Sequence, residues 1–167
     1  QDAKDAQASS SLVVYFSATG HTAGVASDLA GITGSDIVEI EPVTPYEDED
    51  LTYEKTCRAN AEQADESCRP EIANKVEDFD SYDTVYIGFP IWWGNEPRII
   101  DTFVESYDWT GKTVVAFCTS GSTGIEDAEK NLKAKTGGAT WLAGKRFSED
   151  GVGASEIEEW VNGIKGE

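Results

Sequence analysis

The chain has 167 residues, the size of one domain, with 39% hydrophobic and 10% aromatic residues, which excludes a disordered polypeptide. Its 32 acidic residues outnumber 13 basic ones, for a net charge of −19, and such a surface repels nucleic-acid backbones and anionic bilayers. The longest apolar runs, such as Leu12–Phe16, are strand-sized and far short of the ~20 residues of a spanning helix.

Residues 1–11 are polar and rich in Ala and Ser, and read as a flexible tail ahead of a single domain over 12–167. The chain opens on Gln1 and contains no Met, so we expect the natural start to have been removed. Such a tail suits a cytoplasmic protein and an exported, tethered one equally. Leu12–Phe16 is a continuous apolar run, the mark of a strand buried on both faces. Gly20–Ala30 reads as a helix with Val25 and Leu29 on one side and Gly31 as its stop. Asp36–Glu41 is a second strand ended by Pro42, followed by an acidic loop to Asp50 and a helix over Leu51–Ala64 that Arg69-Pro70 breaks. Thr84–Phe89 is the third strand. Pro97 fits the first turn of a helix carrying Ile100, Phe103, Val104 and Tyr107 on one stripe. Thr113–Cys118 is the fourth strand, and Ile125, Ala128 and Leu132 mark a helix that Gly137-Gly138 ends. Thr140–Leu142 is a weak fifth strand with a continuation near Arg146-Phe147. Ser155 and Glu158 suit a capping box for a last helix striped by Ile157, Trp160, Val161 and Ile164.

The three cysteines, Cys57, Cys68 and Cys118, do not have zinc spacing, and with a single His no metal is expected. Cys57 and Cys68 share a polar segment and could form a local disulfide or stand as free thiols, whereas Cys118 reads as core. Five strands alternating with five helices predict a parallel sheet covered on both faces. Ligands of such sheets bind beyond the carboxyl ends of the strands, so function is expected after strands one, three and four.

After strand one comes Ser17-Ala18-Thr19-Gly20-His21-Thr22, a turn with three hydroxyls and no acid that leads into a helix N-terminus. Free N–H groups, the helix dipole and neutral hydroxyl donors suit a phosphate monoester, the plainer alternative being an ordinary capped helix. His21 is either a pH-dependent contact to that anion or, as we favour, a solvent-exposed residue. After strand three comes Pro90-Ile91-Trp92-Trp93-Gly94-Asn95-Glu96-Pro97. Adjacent side chains of an extended segment diverge, so one Trp can face the core while the other stacks on a conjugated ring; both could instead be core. After strand four, Thr119-Ser120-Gly121-Ser122-Thr123-Gly124 is small and flexible enough for backbone to approach a flat ligand closely. A P-loop, a G-x-G-x-x-G turn and a G-x-S-x-G elbow are all absent.

Together these turns resemble those of the flavodoxin family over Leu12 to Ile164. Ser17, Thr19, Gly20 and Thr22 match the T/S-x-T-G-x-T loop that holds the FMN phosphate, with His21 where Asn is common. Trp93-Gly94-Asn95-Glu96 resembles the loop bordering the flavin, whose glycine peptide turns over to bond the ring N5–H once one electron has been added; Gly94 matches that glycine, and Asn95 replaces a frequent Asp. The resemblance is to a divergent bacterial subgroup. It implies a flavodoxin-like doubly wound five-stranded parallel sheet of order 2-1-3-4-5 with helices on both faces. It also implies noncovalent FMN held by residues 17–22, Pro90, Ile91, Trp92, Trp93, Gly94, Asn95, Thr119, Ser120, Gly121, Ser122 and Gly124. Where many relatives stack a Tyr after strand four, Thr119–Gly124 carries no aromatic, which leaves a ring face open.

The expected function is therefore that of a monomeric one-electron carrier with no acid–base residue of its own, its negative field steering a basic redox partner. An FMN-dependent NAD(P)H:quinone-type reductase is the alternative; the open ring face favours it and the absence of an evident Arg or Lys near the loops weighs against it. A flavin-free module on the same fold is the third reading.

Overall fold

A computed structural model describes residues 11–17, 20–44, 46–47, 58–65, 67–76, 79–92, 95–120, 124–142, 144–148 and 154–165. The strands are β1 (Ser11–Tyr15), β2 (Asp36–Glu39), β3 (Thr84–Pro90), β4 (Thr113–Ser120), β5 (Thr140–Trp141) and β6 (Lys145–Ser148). The helices are α1 (His21–Thr33), α2 (Arg58–Ala64), α3 (Arg98–Glu105), α4 (Glu126–Lys133) and α5 (Ala154–Lys165). The strands form one sheet of order β2-β1-β3-β4-β5, with β6 also on β4 and every pair parallel.

Alternation along the inner strands explains the two-sided burial. Leu12, Val14, Val85, Ile87, Val114 and Ala116 face one layer, with Ile99, Ile100 and Phe103 of α3 and Ala128 and Leu132 of α4. Val13, Tyr86, Val115 and Phe117 face the other, with Val25, Ala26 and Leu29 of α1 and Ile157, Val161 and Ile164 of α5. Each such aliphatic side chain contributes about 1.5–3 kcal/mol by leaving water. Gly88 is opposite Phe117 in the β3–β4 register, and a Cβ on it would collide with the Phe117 ring; the glycine lets that ring lie flat against the sheet. The expected weak fifth strand is β5 and β6, two pieces of one edge paired with the start and end of β4. Between them Gly144 turns its N–H away from the ladder to Glu129 Oε2, at 3.0 Å.

Several boundaries differ from the sequence reading. β1 already includes Ser11, the last residue of the expected tail. Helix α1 runs through Gly31 to Thr33 and stops at Gly34, whose φ of +71° and N–H bond to Ala30 O make the left-handed cap. β2 ends at Glu39 rather than Glu41, because the chain beyond it pairs elsewhere: Pro42 bridges antiparallel to Ile72, with Val43 N–H on Glu71 O and Ala73 N–H on Glu41 O. The Asn74 side chain joins the same neck, accepting from Glu41 N–H and donating to Glu39 O. Residues between the two sides of this neck thus form an excursion that includes α2, and the part of the expected Leu51–Ala64 helix before Arg58 lies outside the described residues.

Tyr107 lies beyond the end of α3, where its hydroxyl accepts the Val76 N–H and its ring packs on Phe79 and Phe103. Ser155 is the second residue of α5 and not its N-cap, so the capping box does not open that helix. Cys118 is fully buried, and burial pushes its thiol up to about 12. Cys68 is a half-buried free thiol, and Cys57 lies outside the described residues. Among the described residues no helix is long and apolar enough to cross a membrane, and no three His, Cys, Asp or Glu are grouped to hold a metal.

Candidate functional site

The turns after β1, β3 and β4 leave the same edge of the sheet, since their strands are parallel neighbours. In the first, Gly20 takes φ +98° as the N-cap of α1, a conformation that favours glycine, while nothing within 4 Å would meet a Cβ. Backbone shape, not crowding, selects glycine there. Ser17 Oγ accepts the Gly20 N–H at 3.1 Å and closes the turn. The first turn of α1 carries no acid, and its cap no side-chain hydrogen bond, so no carboxylate of the helix's own first turn offsets the positive end of its dipole. His21 is exposed. Ala18 and Thr19 lie outside the described residues.

Thr22 and Thr119 join the first turn to the third. Their hydroxyl oxygens are 2.7 Å apart, and each residue is 1% exposed. Thr119 also joins the second turn, because its carbonyl accepts the Ile91 N–H at 3.1 Å and it is the register partner of Pro90. The three turns singled out in the sequence thus share one buried threonine. Beyond it Ser120 is buried and Gly124 half-buried, and residues 121–123, including Gly121 and Ser122, lie outside the described residues.

In the second turn Trp92 and Asn95 exchange both backbone hydrogen bonds, at 2.9 and 3.1 Å, closing a four-residue reverse turn. Trp92 takes the core-facing role: it is 7% exposed, with its ring edge-on to Phe16 at 5.7 Å and to Tyr46 at 5.4 Å. Trp93 and Gly94 lie outside the described residues. The Tyr46 hydroxyl donates to Glu62 on α2, and burial together with that carboxylate holds the phenol well above its ordinary value. A cavity of about 250 Å³ beyond the carboxyl ends of β1 and β2 borders Ser17 and is lined by Glu39, Glu41 and Tyr46. Its two carboxylates disfavour an anion on that side, so an anion at the first turn belongs on the α1 side.

Two residues that the sequence reading did not single out, Gln63 and Asn131, hold the second turn together with Glu96, and a third, Arg146, adjoins the next turn. Gln63 of α2, buried, donates from Nε2 to Trp92 O at 3.0 Å and to Glu96 O at 3.1 Å, while its Oε1 accepts Arg98 N–H. Asn131 of α4 donates to Asn95 Oδ1 at 3.1 Å and to Glu96 Oε1 at 3.2 Å. Glu96 is fully buried, and burial with the facing Asp101 carboxyl pushes its own carboxyl up to about 8. Arg146 on β6 donates to Ser120 O at 2.9 Å, so the interrupted fifth strand brings a cation beside the third turn. The only early signals were the polar residues of the excursion and the weak strand near Arg146; their contacts are long-range and have no local signature.

Residues on this edge could hold an anion at the α1 terminus and a flat group against the second and third turns. Solved structures of the same form set this in context. A protein from Bacteroides eggerthii DSM 20697, provisionally termed a flavoprotein, is 40% identical over 94% of this chain and 98% of its own, with a TM-score of 0.87. A second such protein, from Bacteroides uniformis ATCC 8492, is 41% identical over 92% and 98%, with the same TM-score. A flavoprotein from Lactobacillus acidophilus NCFM, solved in complex with FMN, shares the fold at 24% identity over 92% and 99%, with a TM-score of 0.70. No curated protein matches the chain. The sequence model of the flavodoxin family matches residues 10–164, a span that takes in every described strand and all three turns. That match covers nearly the whole chain, the parallel sheet has the order expected of a flavodoxin-like fold, and the chain belongs to the flavodoxin family.

Proposed function

We propose that the protein binds FMN noncovalently and works as a monomeric electron carrier. The observation that carries this reading is the junction at Thr119, which ties the turns after β1, β3 and β4 into one edge beside the Gly20-started helix. The donor set fits the cofactor: hydroxyls and the positive end of a helix toward a phosphate, and turns of small and aromatic residues toward a flat ring. Ser17, Thr19 and Thr22 would hold the phosphate. Trp93, Gly94 and Asn95 with Thr119, Ser120, Gly121, Ser122 and Gly124 would border the ring, while Pro90, Ile91 and Trp92 support it from below. Bound FMN supplies one- and two-electron chemistry, and the chain supplies affinity, access and potential. A net charge of −19 opposes placing further negative charge at this edge, which favours low potentials, and it steers a basic redox protein toward the molecule.

Arg146 favours a second reading. Its guanidinium, half-buried against Ser120 O, is a cation beside the third turn of the kind an NAD(P)H-using reductase needs, and it was not evident from the sequence. The test is an FMN titration of apo protein followed by stepwise reduction under visible spectroscopy, with NAD(P)H oxidation assayed in parallel. Tight binding with reduction in two separate one-electron stages, and no NAD(P)H oxidation, is the expected result. Tight binding with single-stage bleaching and NAD(P)H turnover selects the reductase, and no binding refutes both.

A further inference from the structure

Glu96 and Asp101 are the two acidic residues buried among the described residues, and their carboxyls face each other. Glu96 Oε2 and both Asp101 oxygens have no hydrogen-bond donor in reach. The cations nearest to Asp101 are off hydrogen-bonding distance: Arg98 Nη1 at 3.6 Å and Lys135 Nζ, after α4, at 4.0 Å. Arg98 instead spends donors on α2, from Nη2 to Gln63 O at 2.7 Å. The other charged groups around the pair are Glu62, bonded to Arg58 on α2, Asp65 beyond that helix, and Arg69, which acts on Asp101 while bonding Glu105 of α3; Cys68 beside them is a thiol that burial holds above its ordinary value. A proton on Glu96 Oε2 would remove the defect, satisfying that oxygen and one oxygen of Asp101 together. Without it, two carboxylates would share one buried site.

We propose that Glu96 is a positioning residue for the ring-bordering turn, holding it through a proton that it shares with Asp101. The route to the turn is short. Asn131 bonds Glu96 Oε1 and Asn95 Oδ1 with one amide, and Gln63 bonds the carbonyls of Glu96 and Trp92 with another. Loss of the proton drives the two carboxyls apart, pulls on both amides and loosens the Trp92–Asn95 closure. This rests on the FMN reading for its consequence, weaker ring binding at alkaline pH, but not for the proton or its coupling to the turn. The stability contribution has a definite sign. The folded value lies above the ordinary 4.5, so the contribution is whole below pH 4.5, is lost as pH rises toward 8, and is constant beyond.

The experiment compares wild type with Glu96→Gln, which keeps an acceptor for Asn131 and a donor for Asp101 but cannot titrate. In apo protein, NMR follows the Glu96 carboxyl carbon and the backbone and side-chain amides of Trp92, Asn95 and Asn131 from pH 5 to 9.5. The expected carboxyl midpoint is about 8, with the amides moving at the same midpoint in wild type and not in Glu96→Gln. The melting temperature of wild type should fall relative to the variant between pH 5 and 8 and run parallel above. FMN affinity of wild type should weaken about tenfold from pH 7 to 9, the factor for binding only to the protonated form, with little change in the variant. A carboxyl midpoint below 6 overturns the proposal whatever FMN does. So do amides, or an FMN affinity, that vary with pH alike in the two proteins. If wild type binds no FMN at any pH, the function proposed above fails, and the apo amides alone still decide this one.

Discussion

The bond between Thr22 and Thr119 makes a prediction that separates joint from ligand. Each hydroxyl has one proton, and the 2.7 Å contact uses only one of the two. If Thr119 donates to Thr22, the Thr22 proton is left to point at an anion beside α1. Thr22→Val removes the hydroxyl at nearly constant shape and leaves Thr119, 1% exposed, with a buried hydroxyl short of its partner. The cost is about 1–3 kcal/mol, and at ~2–4 °C per kcal/mol for a chain of this size the melting temperature drops by ~2–12 °C. Thr119→Val should cost a similar amount. The double variant removes both groups together and should recover most of the loss, giving a coupling energy of about 1 kcal/mol or more.

The assay is urea unfolding of the four apo proteins, followed by FMN titration of each. Loss of a charged-acceptor hydrogen bond costs about 1.5–3 kcal/mol, so Thr22→Val should weaken FMN binding ~10- to 150-fold. Thr119→Val should weaken it several-fold less, because the Thr22 donor survives. Additive stability losses would show that the two hydroxyls do not act as a pair. Equal losses of FMN affinity would show that Thr22 serves the site only as part of the joint, and the phosphate assignment would fall.

Two further substitutions test the parts around this joint. Gly20→Ala meets no steric obstacle but must hold φ near +98°; it should destabilise the apo protein by about 1–2 kcal/mol in urea, and an unchanged midpoint would show that the turn relaxes freely. Trp92→Ala should cost about 3–5 kcal/mol of stability, because the ring packs against Phe16 and Tyr46; a variant of wild-type stability that had lost only flavin affinity would place Trp92 against the ligand.

How much of this was legible in the sequence depends on how local each cause is. Thr84–Phe89 and Thr113–Cys118 announce inner strands because burial on both faces leaves no polar alternation, and both are the centre of the sheet. The Gly20 turn was legible because a glycine, hydroxyls and a helix start lie within a few residues of each other. Gly31 was a plausible stop, but the left-handed residue is Gly34, and which of two nearby glycines leaves the helix is decided by where the chain must turn into β2. Glu96 was legible as the end of the ring-bordering loop but not as a buried acid, since nothing within its own segment reveals that Asp101, Asn131 and the sheet edge enclose it.

The excursion between β2 and β3 shows why the least legible part matters to the most legible one. A reverse turn that leaves a sheet edge carries backbone carbonyls that no ladder satisfies, and burying them unpaired costs about as much as losing the bonds. Here Glu96 O is in that position and Trp92 O has a second lone pair beyond the Asn95 N–H; one side chain from 29 and 33 residues away, Gln63, serves both while accepting the N–H that opens α3. It can reach them because the Pro42–Ile72 neck closes the excursion on itself and Arg98 grips the carbonyls of Glu62 and Gln63. An amide suits this task better than a charged group, since it donates twice and accepts once without adding to a net charge of −19. The turn that borders the proposed ring is thus held by α2, within the excursion between β2 and β3, and its geometry follows that helix as much as the strand that it leaves.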